Sequence, residues 1–170
     1  MRKKTVADLA IFGGQRLFTS PKPVGQLDAP PVEDYLALLR SPYEARYLTN
    51  DGPLARRLED KLRDYHQVRH CISVANAALG LTMLMQLFGQ GKRGEVIMPA
   101  FSYRGLPHFA QWAGQLPKFC EVDPVTQGLD PTAVESCISE KTTSILVVCN
   151  FNSPGLIDEL CAVGDRHNVP

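Results

Sequence analysis

The sequence has no excess of charge of either sign, because its 18 lysine and arginine residues are matched by 18 aspartate and glutamate residues. Proteins that bind nucleic acid usually carry a basic excess, and an acidic tail indicates a basic partner. Neither kind of partner is predicted for this chain. The balance favours a small, neutral ligand.

Long apolar runs and paired cysteines are also missing. No segment approaches the roughly 20 apolar residues that a membrane-spanning helix needs, so no membrane span is predicted. Asp8 interrupts the short apolar run after the basic start, which argues against a signal peptide. The cysteines are odd in number, form no C-x-x-C pair and lie mostly in apolar segments: Cys71, Cys120, Cys137, Cys149 and Cys161. We interpret them as reduced core thiols of a cytoplasmic protein.

Common catalytic motifs are absent as well. The sequence contains no P-loop, no G-x-G-x-x-G and no G-x-S-x-G elbow. His66 and His108 have no metal-ligating partner at helical spacing. Asp123 and Asp130 bracket the turn DPVTQGLD, and we interpret them as a turn former and a helix cap rather than paired acids. The residues alone therefore predict no catalytic side chain and no metal site.

The first part of the chain, residues 1–52, is rich in glycine and proline. This composition predicts an extended N-terminal arm with one short helix at 32–39. A solvated leader explains the same composition equally well. We assign the remaining residues, 53–170, to the main domain.

From Pro53 onward, helical and strand patterns alternate. The periodicity predicts helices at 53–65, 76–88, 105–113, 131–137 and 155–167, and strands at 70–75, 94–98, 117–122 and 143–149. This alternation is typical of an α/β fold with a mainly parallel sheet and helices on both faces. The apolar run at 143–149 is continuous, which favours a central strand.

Ligands of such sheets bind beyond the carboxyl ends of the strands. Three stretches are expected to meet there: 75–78, 99–103 and 149–154. The first is a strand-to-helix turn in which Asn76 is the predicted N-cap. Free amide groups at a helix N-terminus favour a phosphate, so this turn is a candidate phosphate site. A turn without a ligand is the alternative.

A family resemblance is carried by the segments YLTNDGP (47–53), CISVANAALGL (71–81), GEVIMPAFSY (94–103) and FCEVDPVTQGLDP (119–131). Together they resemble the first half of a DegT/DnrJ/EryC1/StrS-type aminotransferase. The resemblance implies an incomplete large domain of the fold-type-I pyridoxal 5'-phosphate (PLP) transferases. It also implies PLP as cofactor, a nucleotide-linked keto-sugar and an amino donor such as glutamate as substrates, and a homo- or hetero-dimer.

The resemblance assigns four cofactor-binding residues. Asn76, Ala77 and Ala78 fall on the turn that binds the phosphate, and Tyr103 falls on the aromatic position that stacks on the ring. The family usually has glycine and threonine where this chain has Ala77 and Ala78. We therefore expect a lost hydroxyl donor, and strain of about 1 kcal/mol if the turn needs close approach to the phosphate or a left-handed backbone.

Two further groups of the family have no counterpart in this sequence. Family members hold the pyridine nitrogen with an aspartate and the aldehyde with a lysine, and both follow the segment that resembles residues 45–170. No lysine of the chain lies in a comparable Ser-x-x-Lys setting, so the chain alone is expected not to transaminate. The alternative function is a non-catalytic interaction protein, a decayed copy that pairs with an intact aminotransferase or a second chain. The large domain of the family continues with further strands after this segment. We therefore also expect the apolar face of the helix at 155–167 to lack the neighbours that those strands would provide.

Overall fold

The computed structural model describes residues 5–21, 23, 25 and 29–170. Parts of the predicted arm, residues 1–4, 22, 24 and 26–28, lie outside the described residues. The chain divides into two compact units, Met1–Cys71 and Ile72–Pro170, whereas the sequence pattern placed the boundary after residue 52.

The first unit is built from short helices. Two 3-10 helices, Val6–Asp8 and Ala10–Phe12, precede α1 (Val32–Glu44) and α2 (Pro53–His66), which contact each other. The start of α1 is as predicted, but the helix continues to Glu44 because Pro42 removes only one N–H donor from its last turns. The predicted second helix is confirmed within one residue.

The second unit contains a parallel sheet. Its strands β1 (Glu95–Pro99), β2 (Leu116–Cys120) and β3 (Thr142–Ile145) lie in the order β2-β1-β3, and both pairs are parallel. The helices of this unit are α3 (Ala77–Gly89), α4 (Leu106–Trp112), α5 (Pro131–Cys137) and α6 (Ile157–His167). The predicted α/β class is therefore confirmed.

Successive side chains of β1 point to opposite sides of the sheet, so β1 presents apolar side chains to both faces. Helices pack on each of these faces. Val96 and Met98 lie in one core cluster, together with residues of α3 and α4. Ile97 lies in a second cluster, together with residues of β2, α5 and α6. All three side chains are fully buried, so β1 is the strand around which this unit packs.

The predicted strand at 70–75 is wrong. These residues form no strand, and none of them belongs to the described sheet. Ile72 and Val74 are 80% and 45% exposed. Their apolar character is typical of a buried strand, but a strand also needs a neighbour for its backbone hydrogen bonds, and sequence composition does not supply one.

The strand at 143–149 is shorter and less central than predicted. β3 ends at Ile145, and β1 is the middle strand of the described sheet. On the side away from β1, the N–H of Ile145 donates to the carbonyl of Pro170 at 2.8 Å. A continuous apolar run reflects coverage of both faces of a strand, and it does not fix the position of that strand in the sheet.

Helix α3 is where the sequence predicted it, but its core contacts come from an unexpected face. Leu79, Met83 and Leu87, whose spacing predicted the helix, are 52%, 59% and 67% exposed. The side chains of α3 that contact the core are Ala78, Leu81 and Met85. Helical spacing therefore identified the helix without identifying its packed side.

Helix α6 gives the opposite result. Its apolar face was expected to lack neighbours, yet Leu160 and Val163 are 3% and 2% exposed and pack with Ile97 and Val134. The expectation is wrong because α5 and β1 already cover this face.

Cysteine burial matches the sequence analysis only in part. All five cysteines are free thiols. Cys120 is buried, and burial together with the neighbouring Cys137 thiol raises its pKa to about 12, so it stays protonated. Cys149 and Cys161 are exposed and are not core thiols. Within the described part of the chain, no helix has the length and apolar character needed to cross a bilayer.

Candidate functional site

The amino end of α3 is arranged as the sequence predicted. Asn76 has an extended backbone, with φ −165° and ψ 165°, and its Oδ1 accepts the N–H of Leu79 at 3.0 Å. The predicted N-cap is confirmed. The N–H groups of Ala77 and Ala78 begin the helix and have no partner within it, as at every helix start. Two amide donors therefore lie at the positive end of the helix dipole.

The backbone at Ala77 and Ala78 is unstrained. Both residues belong to the first turn of α3, and neither has a positive φ. The predicted left-handed strain is therefore wrong, because a right-handed helical residue accommodates a Cβ without cost. Ala78 also packs against the first core cluster. The φ values leave two expected consequences of the alanines in place: the missing threonine hydroxyl and the methyl groups that limit close approach.

Tyr103 follows β1 and rests against α4. Its ring centroid lies 6.2 Å from that of Phe109, while the residue remains 66% exposed. Gly105 makes room for this ring, since a Cβ at residue 105 would lie 2.3 Å from Tyr103 Cε1. An aromatic ring that is supported underneath and exposed above suits stacking against a flat ligand.

Asn150 joins the loops that follow all three strands. Its Nδ2 donates to the carbonyl of Phe101 and to the carbonyl of Gln127, both at 2.9 Å. Its Oδ1 accepts the hydroxyl of Ser102 at 3.3 Å. The rings of Phe101 and Phe151 add a contact at 6.5 Å between centroids. This network lies at the carboxyl ends of the strands, where α/β sheets bind ligands.

The structure brings together two of the three stretches that were expected to converge. Residues 99–103 and 149–154 meet through Asn150, and the loop after β2 joins them, which the sequence analysis did not anticipate. Residues 75–78 are connected through the core, because Ala78 packs against the cluster that contains Phe109, whose ring contacts that of Tyr103. No hydrogen bond between described residues joins Tyr103 to 75–78.

The two aspartates near the site have the structural roles that were predicted. Asp123 Oδ1 accepts the N–H groups of Val125 and Thr126 at 3.1 and 2.7 Å, and the bonds from Thr126 hold the pKa of Asp123 below its usual range. Asp130 Oδ1 accepts the N–H of Thr132 at 2.8 Å and caps α5. In both residues these backbone bonds are accepted by Oδ1.

The described lysines of the second unit lie away from this end of the sheet. Lys118 pairs with Glu95 on β1 at 2.9 Å. Lys92 and Lys141 line a groove at the amino ends of β1 and β3. Lys3, Lys4 and Lys22 lie outside the described residues. No cluster of histidine, cysteine, aspartate and glutamate in the described ranges could hold a metal ion.

Asn150 and Gly105 are the two positions of the candidate site that sequence reasoning missed. An asparagine directly after an apolar strand, and a glycine two residues after an aromatic residue, are weak signals. Both could have been noticed, but neither pattern says which atoms lie nearby.

Comparison with known proteins gives a consistent result. The model of the DegT/DnrJ/EryC1/StrS aminotransferase family matches residues 32–170. The L-glutamine:2-deoxy-scyllo-inosose aminotransferase of Streptomyces fradiae is 32% identical over 169 residues, which are 97% of this chain and 40% of that protein. This chain therefore spans about 40% of the length of the curated relatives it matches.

Solved structures show the same relationship. DesI in the presence of its TDP-sugar product superimposes with a TM-score of 0.78 at 32% identity, over 97% of this chain and 42% of DesI. NtdA from Bacillus subtilis with bound cofactor PMP gives a TM-score of 0.72 at 25% identity, over 81% of this chain and 32% of NtdA.

Proposed function

Because the chain belongs to the DegT/DnrJ/EryC1/StrS aminotransferase family, we propose that it forms the cofactor-binding part of a PLP-dependent aminotransferase. The observation that carries the proposal is the exposed amino end of α3, which begins at the N-cap Asn76. It presents the N–H groups of Ala77 and Ala78, which have no partner within the helix. The first turn of this helix packs against the same core cluster as Phe109, whose ring contacts that of Tyr103.

The residues present fit the phosphate and the ring of PLP. The N–H groups of Ala77 and Ala78 would donate to phosphate oxygens, and the helix dipole would favour the negative charge. Tyr103 would cover one face of the ring. When bound, PLP supplies an aldehyde that combines with amines and a ring that withdraws electrons. The protein's own contribution is to hold and orient these groups.

The proposed substrate is a ketone on a sugar ring, carried by a nucleotide, with an amino acid such as glutamate as amino donor. Two similarities support this choice. The Streptomyces fradiae relative is named for L-glutamine and 2-deoxy-scyllo-inosose. DesI is described with a TDP-sugar product.

Complete amino transfer needs more than the described residues provide. A carboxylate must hold the pyridine nitrogen and a lysine must hold the aldehyde. The described lysines of the second unit lie away from the carboxyl ends of the strands. We therefore propose that this chain binds the cofactor. The carboxylate and the lysine would come from a polypeptide that corresponds to the part of the relatives that this chain does not match.

Pyridoxamine phosphate tests the proposal without interference from lysines, because it has no aldehyde. Trp112, the single tryptophan of the chain, lies 5.6 Å from Phe109 between ring centroids and reports on binding near Tyr103. We expect pyridoxamine phosphate to quench its fluorescence saturably, and pyridoxamine without the phosphate to bind much more weakly. Equal affinities of pyridoxamine phosphate and pyridoxamine would show that α3 does not bind the phosphate.

A non-catalytic interaction protein is the second candidate, and one observation favours it. Leu87 on α3 and Ile72 before it are 67% and 80% exposed, beside Met83 and Leu84. Exposed apolar groups of this extent favour association. We expect light scattering across a dilution series to show an oligomer, and Leu87→Glu to dissociate it. Gln111→Glu, at an exposed position of α4 outside this group of residues, should not. A compact monomer at every concentration contradicts this candidate.

A further inference from the structure

Asn150 uses three of the four hydrogen bonds that its side chain can make, all with groups far away in the sequence. A primary amide has two N–H donors and one carbonyl oxygen. Here the two donors reach the carbonyls of Phe101 and Gln127, and the oxygen accepts the hydroxyl of Ser102. The partners lie 49, 23 and 48 residues from Asn150. A single half-buried side chain thus joins the loops after β1, β2 and β3.

The backbone around this amide adopts conformations that need support. Gln127, Phe151 and Asn152 have φ values of 59°, 53° and 60°. The left-handed region costs a residue with a side chain on the order of 1 kcal/mol, and such conformations persist where surrounding contacts hold them. The bonds of Asn150 to Gln127 and to the loop of Phe101 provide such contacts.

We propose that Asn150 is a positioning residue for the ligand site, because it fixes the loop that carries Tyr103 relative to the loops after β2 and β3. The inference rests on the proposed function, since it assigns Asn150 a role toward the same cofactor ring. Phe101 and Ser102, the two residues that Asn150 holds on that loop, directly precede Tyr103. Without these bonds the loop is free to shift, and the ring of Tyr103 shifts with it.

Asn150→Asp tests the donors selectively. Aspartate has nearly the same shape as asparagine and still accepts the hydroxyl of Ser102. It cannot donate, however, and its charge faces the carbonyl oxygens of Phe101 and Gln127. Gln127→Glu is the matched control: it makes the same amide-to-carboxylate change in the same group of loops, at an exposed side chain whose backbone carbonyl remains available to Asn150.

Two measurements on the full chain separate the local role from a general loss of stability. Hydrogen exchange is expected to become about tenfold faster, the equivalent of one lost hydrogen bond, at the amides of 101–104 and 126–128 in Asn150→Asp. Exchange in the core strand β1 should stay unchanged. Pyridoxamine phosphate should bind about tenfold more weakly, with a smaller quench of Trp112 at saturation. Gln127→Glu should match the wild type in both measurements.

The outcomes distinguish this inference from the proposed function. If the wild type binds pyridoxamine phosphate and Asn150→Asp binds it equally well, the positioning role is overturned and the proposed function stands. If the wild type does not bind, the proposed function fails and the role of Asn150 toward the cofactor fails with it. If Gln127→Glu loses binding to the same extent, added charge is the cause, and the inference is overturned. Faster exchange together with weaker binding in Asn150→Asp alone supports it.

Discussion

Gly105→Ala is expected to displace Tyr103 while leaving the fold intact. The new Cβ would lie 2.3 Å from Tyr103 Cε1, 2.9 Å from Cζ and 3.1 Å from Cδ1, so the ring has to swing away. The backbone at residue 105, with φ −80° and ψ −18°, is ordinary for alanine. The substitution therefore acts on the position of the ring and adds no backbone strain.

The magnitude follows from what the ring contributes. An aromatic pair is worth about 0.5 to 1.5 kcal/mol beyond its burial. Losing a stack of about 1 kcal/mol weakens pyridoxamine phosphate binding about fivefold. The free energy of unfolding should fall by no more than about 1.5 kcal/mol, because Tyr103 is largely exposed and the loss is confined to its contact with Phe109.

A double-mutant cycle measured by Trp112 quenching gives the decisive result. In a Tyr103→Ala background the clash no longer exists, so Gly105→Ala should have no further effect on binding. Two results would refute the reasoning. One is wild-type affinity in Gly105→Ala, which would mean that the ring does not contact the ligand. The other is an equal loss with and without the tyrosine side chain, which would mean that residue 105 acts independently of residue 103.

Three further predictions concern other parts of the second unit. Ala78→Thr should tighten pyridoxamine phosphate binding at least about tenfold, because a hydrogen bond to a charged acceptor is worth about 1.5 to 3 kcal/mol; calorimetry measures it. Gln115→Leu should lower the free energy of unfolding, measured in urea, by about 2 to 4 kcal/mol. The buried side-chain amide of Gln115 accepts the N–H of Gly94 at 2.9 Å and donates to the carbonyl of Lys92 at 2.9 Å. Glu135→Gln should destabilise the chain at neutral pH, and progressively less as the pH falls below the ordinary carboxyl pKa of 4.5; urea midpoints across pH measure it.

The pH dependence has a definite sign. Hydrogen bonds from Arg166 and His167 lower the pKa of Glu135. A carboxyl group whose pKa is lowered by folding contributes its full stabilisation above its unfolded pKa and loses it as the pH falls through the folded pKa. The wild type and Glu135→Gln should therefore converge in acid. A difference that keeps its full neutral-pH size as the pH falls below the ordinary carboxyl pKa of 4.5 would contradict the assigned pairing.

Matched variants control the other two predictions. Ala77→Gly should not tighten phosphate binding, because Ala77 already has a right-handed backbone. A gain from this glycine equal to that of Ala78→Thr would show that backbone approach limits binding rather than the hydroxyl. Gln111→Leu, at an exposed glutamine of α4, should change stability little. If Gln115→Leu changes the free energy of unfolding as little as Gln111→Leu does, the hydrogen bonds of the Gln115 side chain do not contribute to stability as proposed.

The sequence by itself determined the features that depend on neighbouring residues. The helices α2, α3, α5 and α6 follow from apolar spacing, which samples one side of a helix within a few residues. Asn76 and Asp130 were identified as caps because a cap bonds to amides two or three residues ahead. The four family segments also lie within continuous stretches of chain, so the family could be recognised without any long-range contact.

Tertiary structure decided whatever depends on residues distant in the chain. Whether 70–75 forms a strand depends on a pairing partner, and whether β1 or β3 is central depends on which strands lie side by side. The packed face of α3 depends on where α4 lies. Sequence periodicity contains none of these distances.

The ligand site shows the same division. Asn76, Ala77 and Ala78 were placed correctly at the start of a helix, while the supposed strain disappeared once their φ values were known. The role of Asn150 depends on atoms up to 49 residues away. The sequence therefore determined which residues form each local element, and the packing of the loops decided which side chains meet, because hydrogen-bond geometry between distant segments exists only after the chain has folded.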